Sequence, residues 1–341
     1  MSDSLTELFE EIILSIDKEM RLVLKSGAAE VDPFWGMIHY QMGWRNKYFE
    51  PVKSSSGKRV RPLLCLLSCQ SAGGDWHQAI PAGTAVEILH NFTLIHDDIQ
   101  DASPTRRGRP TVWKLWSEKQ AINVGDAMFA LAHIGLSRMQ SRGVNAVTVN
   151  QALLRLDETC LDLTYGQYKD MDFEEREVVS VDEYLQMING KTAALLSLSS
   201  ELGALVAGAD KELIHQYAAF GRDLGLAFQV RDDILGIWGE ESVIGKSAAT
   251  DIAARKKSLP VLYGLEKNSE LSHLYGQSHI GNDFVSKVVQ LLDSAGAREF
   301  TEEYESRYAN SALANLEAAN PVGPAGDALY QLTNILLNRE Q

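Results

Sequence analysis

The 341-residue chain is 45% hydrophobic, enough for a large core, and carries a formal net charge of −14. That charge argues against nucleic acid, whose binders carry basic patches, and against an electrostatic membrane-surface binder. Three cysteines, Cys65, Cys69 and Cys160, do not make a disulfide framework. The N-terminal stretch SDSLTELFEEIILSIDKE is acidic and amphipathic, unlike a signal peptide. Glu201 interrupts the best candidate for a membrane span, TAALLSLSSELGALVAGA, so a soluble, cytoplasmic chain is expected.

In chain order, PVKSSSGKRVRP reads as a turn, and LLCLLSC as an apolar run in which Cys65 and Cys69 pack one helical turn apart. After the turn SAGGDW, the spacing of Ala85, Ile88, Leu89, Phe92 and Ile95 predicts a helix. ASPTRRGRP is a second turn. None of the nine prolines lies between Pro110 and Pro260. Interior proline costs a helix ~3 kcal/mol or more, so this gap suits consecutive long helices. Leu153, Leu156, Cys160 and Leu163 continue the helical period. Without repeats, linkers or alternating runs, the chain reads as one all-α domain over 1–341.

The segment ILHNFTLIHDDIQD ends an apolar run in three carboxylates. Asp97 and Asp101, four residues apart, share a helix face, and His90 falls on nearly the same stripe. Like charges at this spacing repel. A divalent cation bridging the oxygens offsets that cost, and magnesium suits an open carboxylate pair because it keeps waters and phosphates as its other ligands. Three carboxylates alone would be read as a solvated face. The adjoining Arg106, Arg107 and Arg109 change that reading, since guanidinium groups bind phosphate bidentately.

FQVRDDILGIWGEE repeats the logic, with Gln229 one turn before Asp232 and Asp233. Cations follow at Lys246, Lys256 and Lys257. Upstream lie Lys58, Arg59 and Arg61 in GKRVRP, and Lys191–Thr192 are expected to begin another helix. Two acidic clusters, each followed by cations, suggest two helix walls serving one metal–diphosphate site.

Together these segments resemble the trans-prenyl diphosphate synthase family, in family order from about Gly57 to Pro260. GKRVRP matches the isopentenyl-diphosphate loop, HDDIQD with RRGRP the first aspartate-rich motif, and FQVRDD, GK and KKSLP the second. GDAMFA, GQYKD and KTA fall at intermediate family positions. The resemblance implies a large helical bundle around a central cavity and a homodimer that condenses isopentenyl diphosphate with an allylic diphosphate. Asp97 and Asp101 would hold two magnesium ions and Asp232 a third, with Asp98 and Asp233 in support. Arg106, Lys191, Thr192, Gln229, Lys246 and Lys256 would hold the allylic diphosphate. Lys58, Arg61, His90 and Arg107 would hold isopentenyl diphosphate.

Phe92 and Thr93, five and four residues before Asp97, stand where the family sets the floor of its chain-growth tunnel; a phenylalanine there is most like geranylgeranyl diphosphate synthases. One departure is Gly236, which replaces the third aspartate expected of the second motif, with Glu240 or Glu241 as possible substitutes. A terpene cyclase on the same fold would not need Lys58, Arg61, His90 and Arg107. A catalytically silent partner subunit would not need Asp97, Asp101 and Asp232.

Overall fold

The apolar periodicity is realised as helices in the computed structural model, which describes residues 3–25, 32–52, 59–239, 250–276 and 283–337. Helices α1 (Asp3–Val23), α2 (Pro33–Gln41), α3 (Val60–Ser71) and α4 (Trp76–Gln100) lead into a hairpin of β1 (Thr105–Arg106) and β2 (Arg109–Pro110). The proline-free stretch then supplies α5 (Val112–Trp116), α6 (Glu118–Ser137), the 30-residue α7 (Ala146–Glu175) and α8 (Val181–Ile188). A π-helical turn (Asn189–Ala193) joins α8 to α9 (Ala194–Val206), and the 28-residue α10 (Lys211–Trp238) follows. The remainder is α11 (Thr250–Ala253), α12 (Leu259–Lys267), α13 (Ser269–Tyr275), α14 (Phe284–Ser294), α15 (Ala297–Ala318) and α16 (Gly323–Leu337). The all-α class holds: the hairpin is the only sheet among the described residues.

Two compact units are distinguishable. The first comprises Met1–Glu158, Leu198–Tyr217 and Pro321–Leu329, and its centre is α4. Ala82, Ala85, Ile88 and Leu89 are fully buried on several sides of that helix, among residues of α1, α3 and α6 such as Ile16, Leu64 and Met128. A helix apolar all round must be enclosed this way. Asp75 caps its start by accepting the His77 N–H, so SAGGDW is the turn its composition predicts. Cys65 and Cys69 are buried and free, and burial pushes the Cys69 thiol up to about 12, which fits packing rather than reactivity.

The second unit comprises Thr159–Ser197, Ala218–Asn320 and Tyr330–Gln341. Its core gathers Phe173, Tyr184, Met187, Leu226, Val230, Leu259 and Leu262. Glycine governs how closely its backbones approach. A Cβ on Gly166 of α7 would lie 2.3 Å from the Lys191 nitrogen, and one on Gly225 of α10 would lie 2.6 Å from the Ala193 Cα. The π turn is therefore wedged between α7 and α10, with backbone alone meeting Gly166 and the Ala193 backbone and methyl meeting Gly225. Among the described residues no helix is long and apolar enough to cross a membrane.

Candidate active site

In the first unit, α4 delivers Asp97 and Asp98 in its last turn and Asp101 at its C-cap, with no basic residue in that turn. The carboxylates repel one another and also face the negative end of the helix dipole. Successive helical residues point about 100° apart, so adjacent aspartates have different fates. Asp97 is half-buried and Asp101 exposed, whereas Asp98 is 2% exposed. The Asp101 N–H still donates to the Asp97 carbonyl at 2.8 Å, keeping the two on one helical face.

Asp98 accepts a 2.7 Å hydrogen bond from Arg106 Nε. Burial pushes its carboxyl up, and the Arg106 guanidinium pulls it back down. Arg106 is presented by the hairpin, which replaces the simple turn expected of PTRRGRP. Arg107 and Gly108 occupy its two-residue loop with φ of 52° and 72°. Positive φ at both central residues is what a tight hairpin of right-twisted strands demands. Asp98, Arg106, Arg107 and Arg109 line a cavity of about 300 Å³ together with Tyr40 and Met42.

A second cationic group surrounds His90. Burial lowers its pKa well below 6.5, and Arg61, Arg107, Arg106 and Arg59 lower it further, so the imidazole is neutral near pH 7. Arg59, in left-handed conformation before α3, is 6% exposed and donates to Glu87 at 2.6 Å. Arg59 Nη2 and Arg61 Nε are buried with no acceptor among the described residues. Buried donors are ordinarily paired, so a site with spare guanidinium donors is one fitted to an anion. Glu87 escaped the sequence reading, and Arg59 entered it only as one of the GKRVRP cations, with no role of its own. The available signal was a glutamate inside the apolar stretch AVEIL of α4.

Phe92 is half-buried, its ring 5.4 Å from that of Phe129 on α6 and 4.8 Å from that of His96. The Thr93 hydroxyl donates to the His90 carbonyl at 2.8 Å. Phe129 belongs to GDAMFA, and Gly125 of the same segment makes room for His96: a Cβ there would lie 2.2 Å from Nε2.

In the second unit, Asp232 is half-buried and Asp233 is 4% exposed. Asp233 accepts from the Tyr184 hydroxyl at 2.5 Å, the Leu259 N–H at 3.1 Å and Gln229 Nε2 at 3.2 Å. Gln229 Oε1 in turn accepts the Thr192 hydroxyl at 2.8 Å. Lys191 and Thr192 lie in the π turn and do not begin a helix as expected; π turns inside helices frequently mark functional sites. Lys191 is ion-paired with Asp170, the last residue of GQYKD. Lys257 donates to the carbonyls of Phe173 and Arg176, while Lys256 is exposed. Helix α10 continues through Gly236 to Trp238, so that glycine does not end it. Lys58, Lys246, Glu240 and Glu241 lie outside the described residues.

Among the described residues no three histidine, cysteine or carboxylate side chains converge to hold a metal. Asp97 and Asp101 offer hard oxygen ligands on one face. That donor set fits magnesium, which takes one or two carboxylates and leaves its other positions to water and phosphate.

Comparisons agree with this chemistry. Residues 43–292 match the family model described as Polyprenyl synthetase. A (2E,6E)-farnesyl diphosphate synthase of Mycobacterium tuberculosis is 37% identical over 327 residues, covering 93% of this chain and 89% of the relative. A geranylgeranyl diphosphate synthase of the same organism is 39% identical over 314 residues, covering 91% and 87%. The crystal structure of a polyprenyl synthetase from Streptomyces coelicolor superposes with a TM-score of 0.88 at 33% identity, covering 98% of this chain and 99% of that one. The chain belongs to the polyprenyl synthetase family, the trans-prenyl diphosphate synthases, and has their all-α isoprenoid synthase fold.

Proposed function

We propose that this protein condenses isopentenyl diphosphate with an allylic diphosphate, ending at the twenty-carbon geranylgeranyl diphosphate, as a soluble cytoplasmic homodimer with 1–341 as one catalytic domain. The observation that carries the synthase reading is the ring of guanidinium groups around neutral His90 beside the Asp97–Asp101 face. A cyclase needs the carboxylates but has no use for a second anion site.

Asp97 and Asp101 would hold two magnesium ions and Asp232 a third, supported by Asp98 and Asp233. Magnesium supplies Lewis-acid neutralisation of the leaving diphosphate. Arg106, Lys191, Thr192, Gln229, Lys246 and Lys256 bind the allylic diphosphate, and their fixed positive charge and hydrogen bonds favour heterolysis of its carbon–oxygen bond. Lys58, Arg61, His90 and Arg107 hold isopentenyl diphosphate while its double bond attacks the allylic carbon. The proton then lost is taken by the departed diphosphate. Phe92, backed by Phe129, sets the floor for the growing chain. Helix α7 leaves Val147, Leu154, Leu161 and Tyr168 more than half exposed at seven-residue intervals, an apolar stripe that supports the homodimer.

The test is a product assay with labelled isopentenyl diphosphate, each allylic primer in turn, and magnesium or a chelator. A magnesium-dependent ladder ending at twenty carbons is expected. A fifteen-carbon end point, the product in the name of one relative, would keep the condensation and overturn the assigned length. No incorporation by folded protein would overturn the synthase. Phe92→Ala is expected to lengthen the product, read by chromatography of the dephosphorylated alcohols.

A further inference from the structure

The first unit contains a second cationic cavity that the reaction above does not use. It encloses about 280 Å³ and is lined by Arg21 and Lys25 from the end of α1 and beyond, His39 of α2, and Trp44, Arg45 and Pro51 of the segment after α2. Three of these six residues are permanent cations, in a chain whose net charge is −14. The Arg21 guanidinium lies 4.3 Å from the centre of the Trp44 ring, and its Nε donates to Asp17 at 2.7 Å, the one acidic partner of the cluster among the described residues. The Trp44 ring is 8% exposed, and its indole N–H is buried without an acceptor among the described residues. His39 Nε2 is turned to the Leu24 carbonyl at 2.9 Å, and burial with Arg45 and Arg21 keeps the ring below its ordinary pKa. Among the described residues the cavity is lined by two guanidinium groups and an ammonium and by no carboxylate, with the buried Trp44 side chain beside them and Arg45 Nη1 donating to the Phe49 carbonyl. Donor-rich walls of this kind match a phosphoryl group, with guanidinium and ammonium supplying charge-assisted bonds.

The same segment reaches the first motif. Its backbone carbonyl at Arg45 accepts a 3.0 Å hydrogen bond from Arg109 Nη2, and Arg109 stacks on Tyr40, whose hydroxyl donates to the Pro110 carbonyl at 2.7 Å. Residues 40–43 line the cavity that contains Asp98, Arg106 and Arg107, while Trp44, Arg45 and Pro51 line the cationic one. An occupant held by Arg45 and Trp44 thus bears on the β1–β2 hairpin through a single hydrogen-bonded step.

We propose that the Arg21–Lys25–Trp44–Arg45 cavity is an accessory site for a diphosphate group, separate from the site of condensation and linked to it through Arg45 and Arg109. The group could arrive as the free inorganic ion or as the head of a prenyl diphosphate.

Isothermal titration of the full chain in chelator separates these cases without requiring turnover. Inorganic diphosphate and geranyl diphosphate are titrated in turn into the parent protein and into R21Q/K25Q, whose substitutions fall on exposed side chains. The parent is expected to bind one equivalent more than the variant. Loss of that equivalent for inorganic diphosphate assigns the free ion, and its loss for geranyl diphosphate alone assigns the prenyl headgroup. Trp44→Phe leaves an aromatic face for Arg21 but removes the indole N–H together with the five-membered ring, so the affinity at this site should fall about fivefold to tenfold. Identical stoichiometry and affinity in parent and R21Q/K25Q, for both ligands, would overturn the proposal.

Discussion

Asp97–Asp98 and Asp232–Asp233 are built alike in burial and differently in partners. In each pair the first carboxylate is half-buried and the second almost fully buried. In the first unit the buried member is answered by a full charge, Arg106, and its pKa is raised by burial against that pull. In the second unit the buried member is answered by a tyrosine hydroxyl, a backbone N–H and a glutamine amide. Asp98 therefore holds in place Arg106, the cation proposed above to bind phosphate, while Asp233 ties α8, α10 and the start of α12 together. Two motifs that read alike differ in what their second aspartate does.

The largest expected effect breaks the likeness at the first members. Asp97→Asn and Asp232→Asn should each lower kcat by about a thousandfold, the scale seen when one preorganised charge-stabilising group is lost, with thermal midpoints near the parent's. Equal losses from the neighbouring aspartates, with no loss of stability, would erase the distinction between outer and buried members. Next in size, Asp233→Asn places an amide against at least one donor and should destabilise the fold by about 3 kcal/mol in denaturant titration. Asp98→Asn should instead raise the KM for the allylic substrate, because Arg106 loses its anchor, with a stability cost of about 1–2 kcal/mol. Asp170→Asn removes the carboxylate paired with Lys191 and should raise that same KM about tenfold, the worth of one charge-assisted hydrogen bond.

The smallest effect concerns His90. Its folded pKa lies below 6.5, so between that lowered value and 6.5 the unfolded chain binds the extra proton. Stability falls as the pH drops through this window and is unaffected above it. His90→Gln should flatten the fall by at most about 1.4 kcal/mol per pH unit, measured by thermal unfolding from neutral to mildly acid buffer.

Helix content was legible because periodicity and the absence of proline from 111 to 259 are both local signals. That Asp97 and Asp101 share one helical face follows from their four-residue spacing alone. The inward turn of Asp98 and Asp233 does not, because it depends on which neighbours enclose each helix. The π turn was missed for a related reason. Lys191 and Thr192 carry no signal of a widened turn in their own identity; its cause is Gly166 and Gly225, residues far away in sequence that let two backbones close on it. The hairpin at 105–110 was read only as a turn, because strands of two residues are too short to show alternation. Glu87 was overlooked because its partner Arg59 is 28 residues upstream.

The glycine seams also bear on how such a protein can diversify. Lys191 hangs from backbone packed against backbone, with a Cβ at Gly166 excluded by a 2.3 Å approach. Side-chain substitutions elsewhere in the helices have little leverage on a joint made of backbone and a single methyl group, that of Ala193. The aromatic contact of Phe92 with Phe129 is the opposite kind of joint, made wholly of replaceable rings. Variation can therefore remodel the ring contact freely while the lysine's mooring stays where it is, so on the proposed roles of Phe92 and Lys191 chain length can change by mutation without re-evolving the chemistry.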